Sequence, residues 1–125
     1  MMKNNKVYDL EERTYLFARD CRLFVKSLPN TLSNIEDGKQ LIRSSGSIGA
    51  NYIEANEKLG ERDFSMRLKI ARKEAKETHY WLRLLKDSNP NYDKEVNTLI
   101  NEALELKMIL SAIINRTSRT KDILK

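Results

Sequence analysis

The residues best suited to chemistry in this 125-residue chain are cations, and the chemistry they suit is the binding of phosphate groups. Residues 62–86 hold eight Lys and Arg against three Asp and Glu, so this stretch alone accounts for the net charge of +5. Repeated around an oligomer, such patches would attract phosphates and steer anionic partners toward the protein. The candidate nucleic-acid-binding residues are Arg62, Lys69, Arg72, Lys73, Lys76 and Arg83.

An ordinary solvated face is the alternative interpretation of these cations. Lys73 and Glu77 have the spacing of a helical ion pair, and pairs of this kind would offset part of the charge. The stretch also lacks the interleaved aromatic residues that are typical of a single-strand binder. RNA binding is therefore one hypothesis, and a protein-interaction scaffold with no nucleic-acid role is the other.

Very small side chains are concentrated in residues 41–55, LIRSSGSIGANYIEA, within an otherwise amphipathic helical pattern. Gly46 and Gly49 each cost about 1 kcal/mol of helix propensity relative to alanine. Close packing of a second helix would offset that cost, because small residues let another backbone approach. We expect this helix to come from the same subunit or from a neighbouring one.

Polar residues lie beside these small ones and predict a polar clasp between helices or subunits. Partly buried polar groups must be paired or hydrogen-bonded, since an unpaired one costs a few kcal/mol. Arg43 could pair with Glu54, or either of them with Glu77 or Arg72. The candidate residues for helix or subunit packing are Arg43, Ser44, Ser47, Gly46, Gly49, Asn51, Glu54 and Glu77.

Patterns for catalysis and metal binding are weak. The only histidine, His79, stands beside the apolar face of a predicted helix, which favours a structural role over general-base catalysis. One His and one Cys far apart do not have metal-ligand spacing, and GSIG has neither the preceding strand nor the following Lys of a phosphate-binding loop. We predict no catalytic residues, metal, cofactor or small-molecule substrate. An enzyme acting through Glu54, Glu77 and His79 is the remaining alternative.

Four segments with helical periodicity must position these residues, at about 8–28, 33–59, 62–87 and 92–116. Ser33 or Asn34 is the expected N-cap of the second helix, and Gly60 is its expected end. No segment alternates with a period of two, so the chain is predicted to be all-α. Short connections make successive helices antiparallel, which predicts an up-down-up-down four-helix bundle. The bundle is one domain over residues 1–125, with a flexible tail at 117–125.

Composition predicts a cytoplasmic protein that does not span a membrane. Charged residues make up 33% of the chain, mean hydropathy is −0.62, and no apolar run approaches the length of a membrane span. The start of the chain resembles no secretion signal, and Cys21 falls on core spacing. The fourth helix is apolar over more than one face, which suggests self-association, with an unusually wide core as the alternative.

Residues 40–88, from Gln40 through SIGAN, Glu54, Asp63-Phe64 and LKIARKEAKE to Ser88, resemble the signature of the bacterial four helix bundle protein family. Its members are also known as intervening-sequence proteins, because some are encoded inside insertions in large-subunit ribosomal RNA genes. Many members carry Ala-Glu-Gly where this chain has Ile53, Glu54 and Ala55, so the chain resembles a subgroup without that glycine.

The resemblance implies a four-helix bundle that assembles as a homopentamer and has no established enzymatic activity. The family is also similar to the accessory proteins of diversity-generating retroelements, whose basic pentamers bind RNA and a reverse transcriptase. The partners that the resemblance implies are therefore further copies of the chain, RNA, and a reverse-transcriptase-like protein.

Overall fold

The computed structural model describes residues 9–57 and 59–124, with side chains up to residue 118. It contains helices α1 (Leu10–Ser27), α2 (Leu32–Ala55), α3 (Glu61–Ser88) and α4 (Asp93–Leu124), and a 3₁₀ turn at Pro90–Tyr92 leads into α4. No strand occurs within the described ranges, and the predicted all-α class is confirmed.

Neighbouring helices pack against one another in chain order, and α1 also contacts α4. The start of α2 lies against the end of α1, where Gly38 faces Val25, and Gly49 near the end of α2 faces Thr14 near the start of α1. These two helices are therefore antiparallel, as short connections require. The arrangement confirms the predicted four-helix bundle.

The core is built from one face of each helix. On α1 the positions that share one face by helical spacing are all buried. The corresponding face of α3 is also buried except for half-buried Phe64; its other members are Leu68, Ala71, Ala75, Thr78, Leu82 and Leu85. Most of the wide apolar surface of α4 is buried in this core or packs against it, although Met108 is 66% exposed. The buried residues of α1 are Leu10, Thr14, Phe17, Cys21 and Phe24, and Leu28 just after the helix is also buried.

The boundaries of α2 differ from the predicted ones at both ends. Thr31 is the N-cap, since its hydroxyl accepts a hydrogen bond from the backbone of Asn34. The helix ends at Ala55, and Gly60 instead precedes α3 with a φ of +149°. Leu59 is consequently 77% exposed rather than on the apolar face of α2. The positive φ of Gly60, which glycine adopts readily, is used at the N-cap of α3, so this residue begins the next helix and does not end α2.

The last helix continues to Leu124, past the predicted end at residue 116, so the segment predicted as a flexible tail is helical as far as it is described. Residues 117–124 contain no Pro or Gly to stop a helix. The Thr117 hydroxyl also donates to the Ile113 carbonyl one turn earlier. The predicted first residue of α1, Tyr8, and the last tail residue, Lys125, lie outside the described residues.

Two polar contacts join helices of the bundle outside the apolar core. Buried Asn34 and Asn89 exchange reciprocal amide hydrogen bonds of 2.9 and 2.8 Å, which tie the start of α2 to the residue after α3. Arg13 of α1 makes a bidentate contact with Glu102 of α4 at 2.7 and 2.9 Å. Over the described residues, none of the four helices combines the length and apolar character that crossing a bilayer requires.

Candidate nucleic-acid interface

One face of α3 carries a continuous line of exposed residues, which we call the basic stripe. Its positions step alternately by four and three residues, so on an α-helix they stay within an arc of about 100° and extend for about 32 Å. Five members are cations and two are large apolar residues, and all are exposed. The basic stripe consists of Arg62, Met66, Lys69, Lys73, Lys76, Tyr80 and Arg83.

Arg72, the sixth predicted phosphate-binding cation, lies off the basic stripe. It is half-buried, and its guanidinium donates a 3.5 Å hydrogen bond to the Ser111 hydroxyl on α4. A position one residue before Lys73 is rotated by about 100° around the helix, toward the neighbouring helix. Arg72 therefore contributes to helix packing in place of the exposed role that was predicted for it.

The predicted helical pair between Lys73 and Glu77 does not form. The Glu77 carboxylate instead accepts hydrogen bonds from the guanidinium of Arg43 on α2 and, at 3.0 Å, from the indole nitrogen of Trp81. Within the part of the chain that is described, Lys69, Lys73 and Lys76 have no ion-pair partner, as the ion pairs of α3 involve other residues. These three lysines therefore carry their charge without an ion pair along α3.

The structure also overturns the expectation that aromatic residues are absent from this face. Tyr80 lies on the basic stripe and is 53% exposed, with its ring edge-to-face against Trp81 at a centroid distance of 5.0 Å. Met66 adds a second apolar side chain, 50% exposed. The alternating spacing from residue 62 to residue 83 is the sequence signal that could have placed both on the cationic face.

The polar clasp exists between α2 and α3, and its centre is Arg43. The guanidinium contacts Glu77 and, at 3.3 Å, buried Glu74, an acidic partner that the sequence did not suggest. One residue further along each helix, the buried Thr78 hydroxyl donates a 2.8 Å hydrogen bond to the Ser44 hydroxyl.

The other polar candidates on α2 lie along the same helix. Asn51 donates to the carbonyl and hydroxyl of Ser47, at 2.9 and 3.1 Å, and accepts a 3.2 Å hydrogen bond from Arg67 of α3. Glu54 is exposed and does not contact Arg43, because eleven residues of helix separate them by about 16 Å. Glu54 is therefore outside the clasp in this protomer.

The two mid-helix glycines face α1 of the same subunit. A Cβ atom on Gly49 would lie 2.7 Å from the hydroxyl of Thr14 and 3.1 Å from its Cβ. A Cβ atom on Gly46 would lie 3.1 Å from the tip of the Arg22 guanidinium. Gly49 therefore lets the backbone of α1 approach α2 closely, which offsets the helix propensity lost there, whereas only the flexible end of the Arg22 side chain lies over Gly46.

Of the three residues considered for an enzyme, Glu77 and His79 line one groove of α3, and Glu54 lies apart from them. Partial burial lowers the pKa of His79, and the positive charges of Arg83 and Lys107 lower it further. Glu77 is bound by Arg43, whereas Glu54 lies exposed near the end of α2. The described residues include no cluster of three His, Cys, Asp or Glu side chains that could hold a metal ion.

Comparison with known proteins identifies a matching family and related solved structures. The model of the family described as 23S rRNA-intervening sequence protein matches residues 4–112. A crystal structure of a protein of unknown function from the S23 ribosomal protein family, from Bacteroides thetaiotaomicron, is 35% identical. The match covers 83% of this chain and 96% of that chain, with a TM-score of 0.76. No curated protein matches the chain.

Proposed function

Because this chain belongs to the 23S rRNA-intervening sequence protein family, we propose that it is a noncatalytic RNA-binding protein that holds the phosphate backbone along the basic stripe of α3. The observation that carries the proposal is the contact between Arg43 and Glu77. It engages the acid that has helical spacing from Lys73, and among the described residues Lys69, Lys73 and Lys76 have no ion-pair partner.

The arrangement of the cations suits a polyanion better than a small ligand. The stripe is straight, exposed and about 32 Å long, whereas a small-molecule site is concave and encloses its ligand. Nucleic-acid phosphates repeat along a line, and each phosphate that a Lys or Arg neutralises releases bound counterions. A linear row of cations therefore matches RNA in shape as well as in charge.

The proposal includes self-association, with the pentamer implied by the family resemblance as the expected state. Its support is a groove of about 460 Å³ between α1 and α2 that is lined by small residues, among them Ala18, Gly46 and Ala50. Exposed Tyr15 and Ile53 flank this groove. Exposed apolar surface of this kind is typical of protein contact sites. Light scattering would give the stoichiometry, and a monomer at all concentrations would contradict this part of the proposal.

The experiment that tests RNA binding replaces the three central lysines of the stripe by glutamine. Lys69→Gln, Lys73→Gln and Lys76→Gln together should abolish retention of structured RNA in a gel shift at moderate salt. The control is the triple variant Lys26→Gln, Lys39→Gln and Lys94→Gln, which has the same net charge but keeps the stripe, since all three residues are exposed elsewhere.

Equal binding by the two triple variants would contradict the stripe as the RNA site, and no binding by the unmodified protein would contradict the function. A protein partner that is captured from cell extract and survives nuclease treatment would then favour the interaction scaffold.

A further inference from the structure

The second inference concerns the aromatic residue in the stripe and rests on the proposed function. We propose that Tyr80 is a stacking platform for an unpaired RNA base and that Lys76 and Arg83 hold the phosphates on either side of that base. The preferred RNA would then be single-stranded or looped at this point, whereas the remaining cations of the stripe would accept any backbone.

The position of Tyr80 supports this role. It follows Lys76 by four residues and precedes Arg83 by three, so both cations are its neighbours on the helix surface. Together with Lys73, Glu77 and His79 these residues line a groove of about 430 Å³. Proteins that bind single strands combine exposed aromatic rings with cations. The ring stacks on a base, and the cations neutralise the phosphates beside it.

The ring of Tyr80 contacts Trp81, a partly buried residue that packs against the core. The two rings pack edge-to-face and are inclined at 78°. The indole of Trp81 donates to Glu77, whose carboxylate is bound by Arg43 of α2. This chain of contacts connects the exposed tyrosine to the α2–α3 interface, and a fixed platform loses less conformational entropy when a base binds.

Whether an RNA base can stack on Tyr80 depends on whether that base is paired. In a duplex both faces of a base are covered by its stacked neighbours, so only an unpaired base can lie against an aromatic side chain. A duplex could still contact the cations of the stripe through its phosphates. The stacking role therefore predicts a preference for single strands that the lysines alone would not produce.

The test compares a labelled single-stranded RNA of about 16 nucleotides with a blunt duplex of the same length by fluorescence anisotropy. Tyr80→Leu should weaken single-strand binding about tenfold and leave duplex binding unchanged, because a stacked base is lost while the charge is kept. Tyr80→Phe should keep the wild-type affinity. Tyr15→Leu is the matched control, since Tyr15 is 62% exposed but lies on α1.

The single tryptophan supplies a second readout in the unmodified protein. Single-stranded RNA should change the fluorescence of Trp81, which contacts Tyr80, and the duplex should not. If Tyr80→Leu binds the single strand as tightly as wild type while the triple lysine variant does not, the stacking role is wrong and the RNA-binding function stands. If the unmodified protein binds neither RNA, both proposals fail.

Discussion

Arg43 of α2 binds the carboxylate of Glu77 on α3, and this single contact connects the interior of the bundle to its basic surface. The same guanidinium reaches buried Glu74, so one cation from α2 is shared between two acids of the basic helix. Lys69, Lys73 and Lys76 of the stripe are exposed and have no ion-pair partner among the described residues. The packing of α2 on α3 thereby determines the charge that α3 presents.

Replacing Arg43 by methionine should lower the free energy of unfolding by about 2 kcal/mol, because Glu74 is then left buried without its cation. We expect the lower end of the range for such pairs, since Arg43 itself is half exposed. Urea denaturation measures the change. Adding Glu74→Gln to Arg43→Met should restore part of the stability, and an Arg43→Met protein as stable as wild type would contradict the assignment.

Alanine substitutions at the two mid-helix glycines should have opposite effects. Gly49→Ala should destabilise the protein by about 1 kcal/mol, because the overpacking against Thr14 exceeds the gain in helix propensity. Gly46→Ala should be neutral or stabilise it by up to about 1 kcal/mol, since only the flexible end of Arg22 must move. Thermal unfolding of the pair measures both, and equal stabilisation by the two substitutions would show that α1 does not lie closely over Gly49.

The amide pair at the end of the bundle should be cooperative. Asn89→Ala should cost about 2 kcal/mol, because it leaves the buried amide of Asn34 without its main partner. The double variant with Asn34→Ala should cost less than the sum of the two single changes. Asn91→Ala, two residues further along and exposed, is the control and should change stability little. Additive losses in a denaturation cycle would refute the pairing.

The buried thiol of Cys21 should make stability fall in alkaline solution. Burial raises the pKa of Cys21 to about 12, above the ordinary value of 9.0. The unfolded chain therefore releases the thiol proton first, and the free energy of unfolding decreases as the pH rises from about 9 toward 12. Cys21→Ala should lack this contribution. Urea midpoints of the two proteins measured at increasing pH would test it, and parallel curves would argue against a buried neutral thiol.

The sequence predicts which face of a helix is buried. The spacing from Leu10 to Leu28 predicts the buried side of α1, and every residue on it is buried. Helix ends are harder, because Gly60 can either end one helix or begin the next. Its left-handed φ is needed ahead of α3, and this depends on how the two helices meet rather than on local sequence.

The sequence predicts the cations that make up the candidate site, but it does not predict the ion pairs beside them. The cationic stretch is evident from residues 62–86, yet spacing along one helix suggests Lys73 as the partner of Glu77. The actual partner, Arg43, is 34 residues away in sequence and becomes available only when α2 packs on α3. Tyr80 was overlooked for a different reason, since its position on the cationic face emerges from the alternating spacing of the entire stripe.

The salt dependence of RNA affinity tests the central claim most directly. Each phosphate contact contributes a slope of about 0.7 in a plot of log affinity against log salt for a single strand. Replacing Lys69, Lys73 and Lys76 by glutamine should therefore reduce the slope by about 2, whereas the control triple at Lys26, Lys39 and Lys94 should keep the wild-type slope. Identical slopes for all three proteins would contradict an RNA backbone bound along the basic stripe.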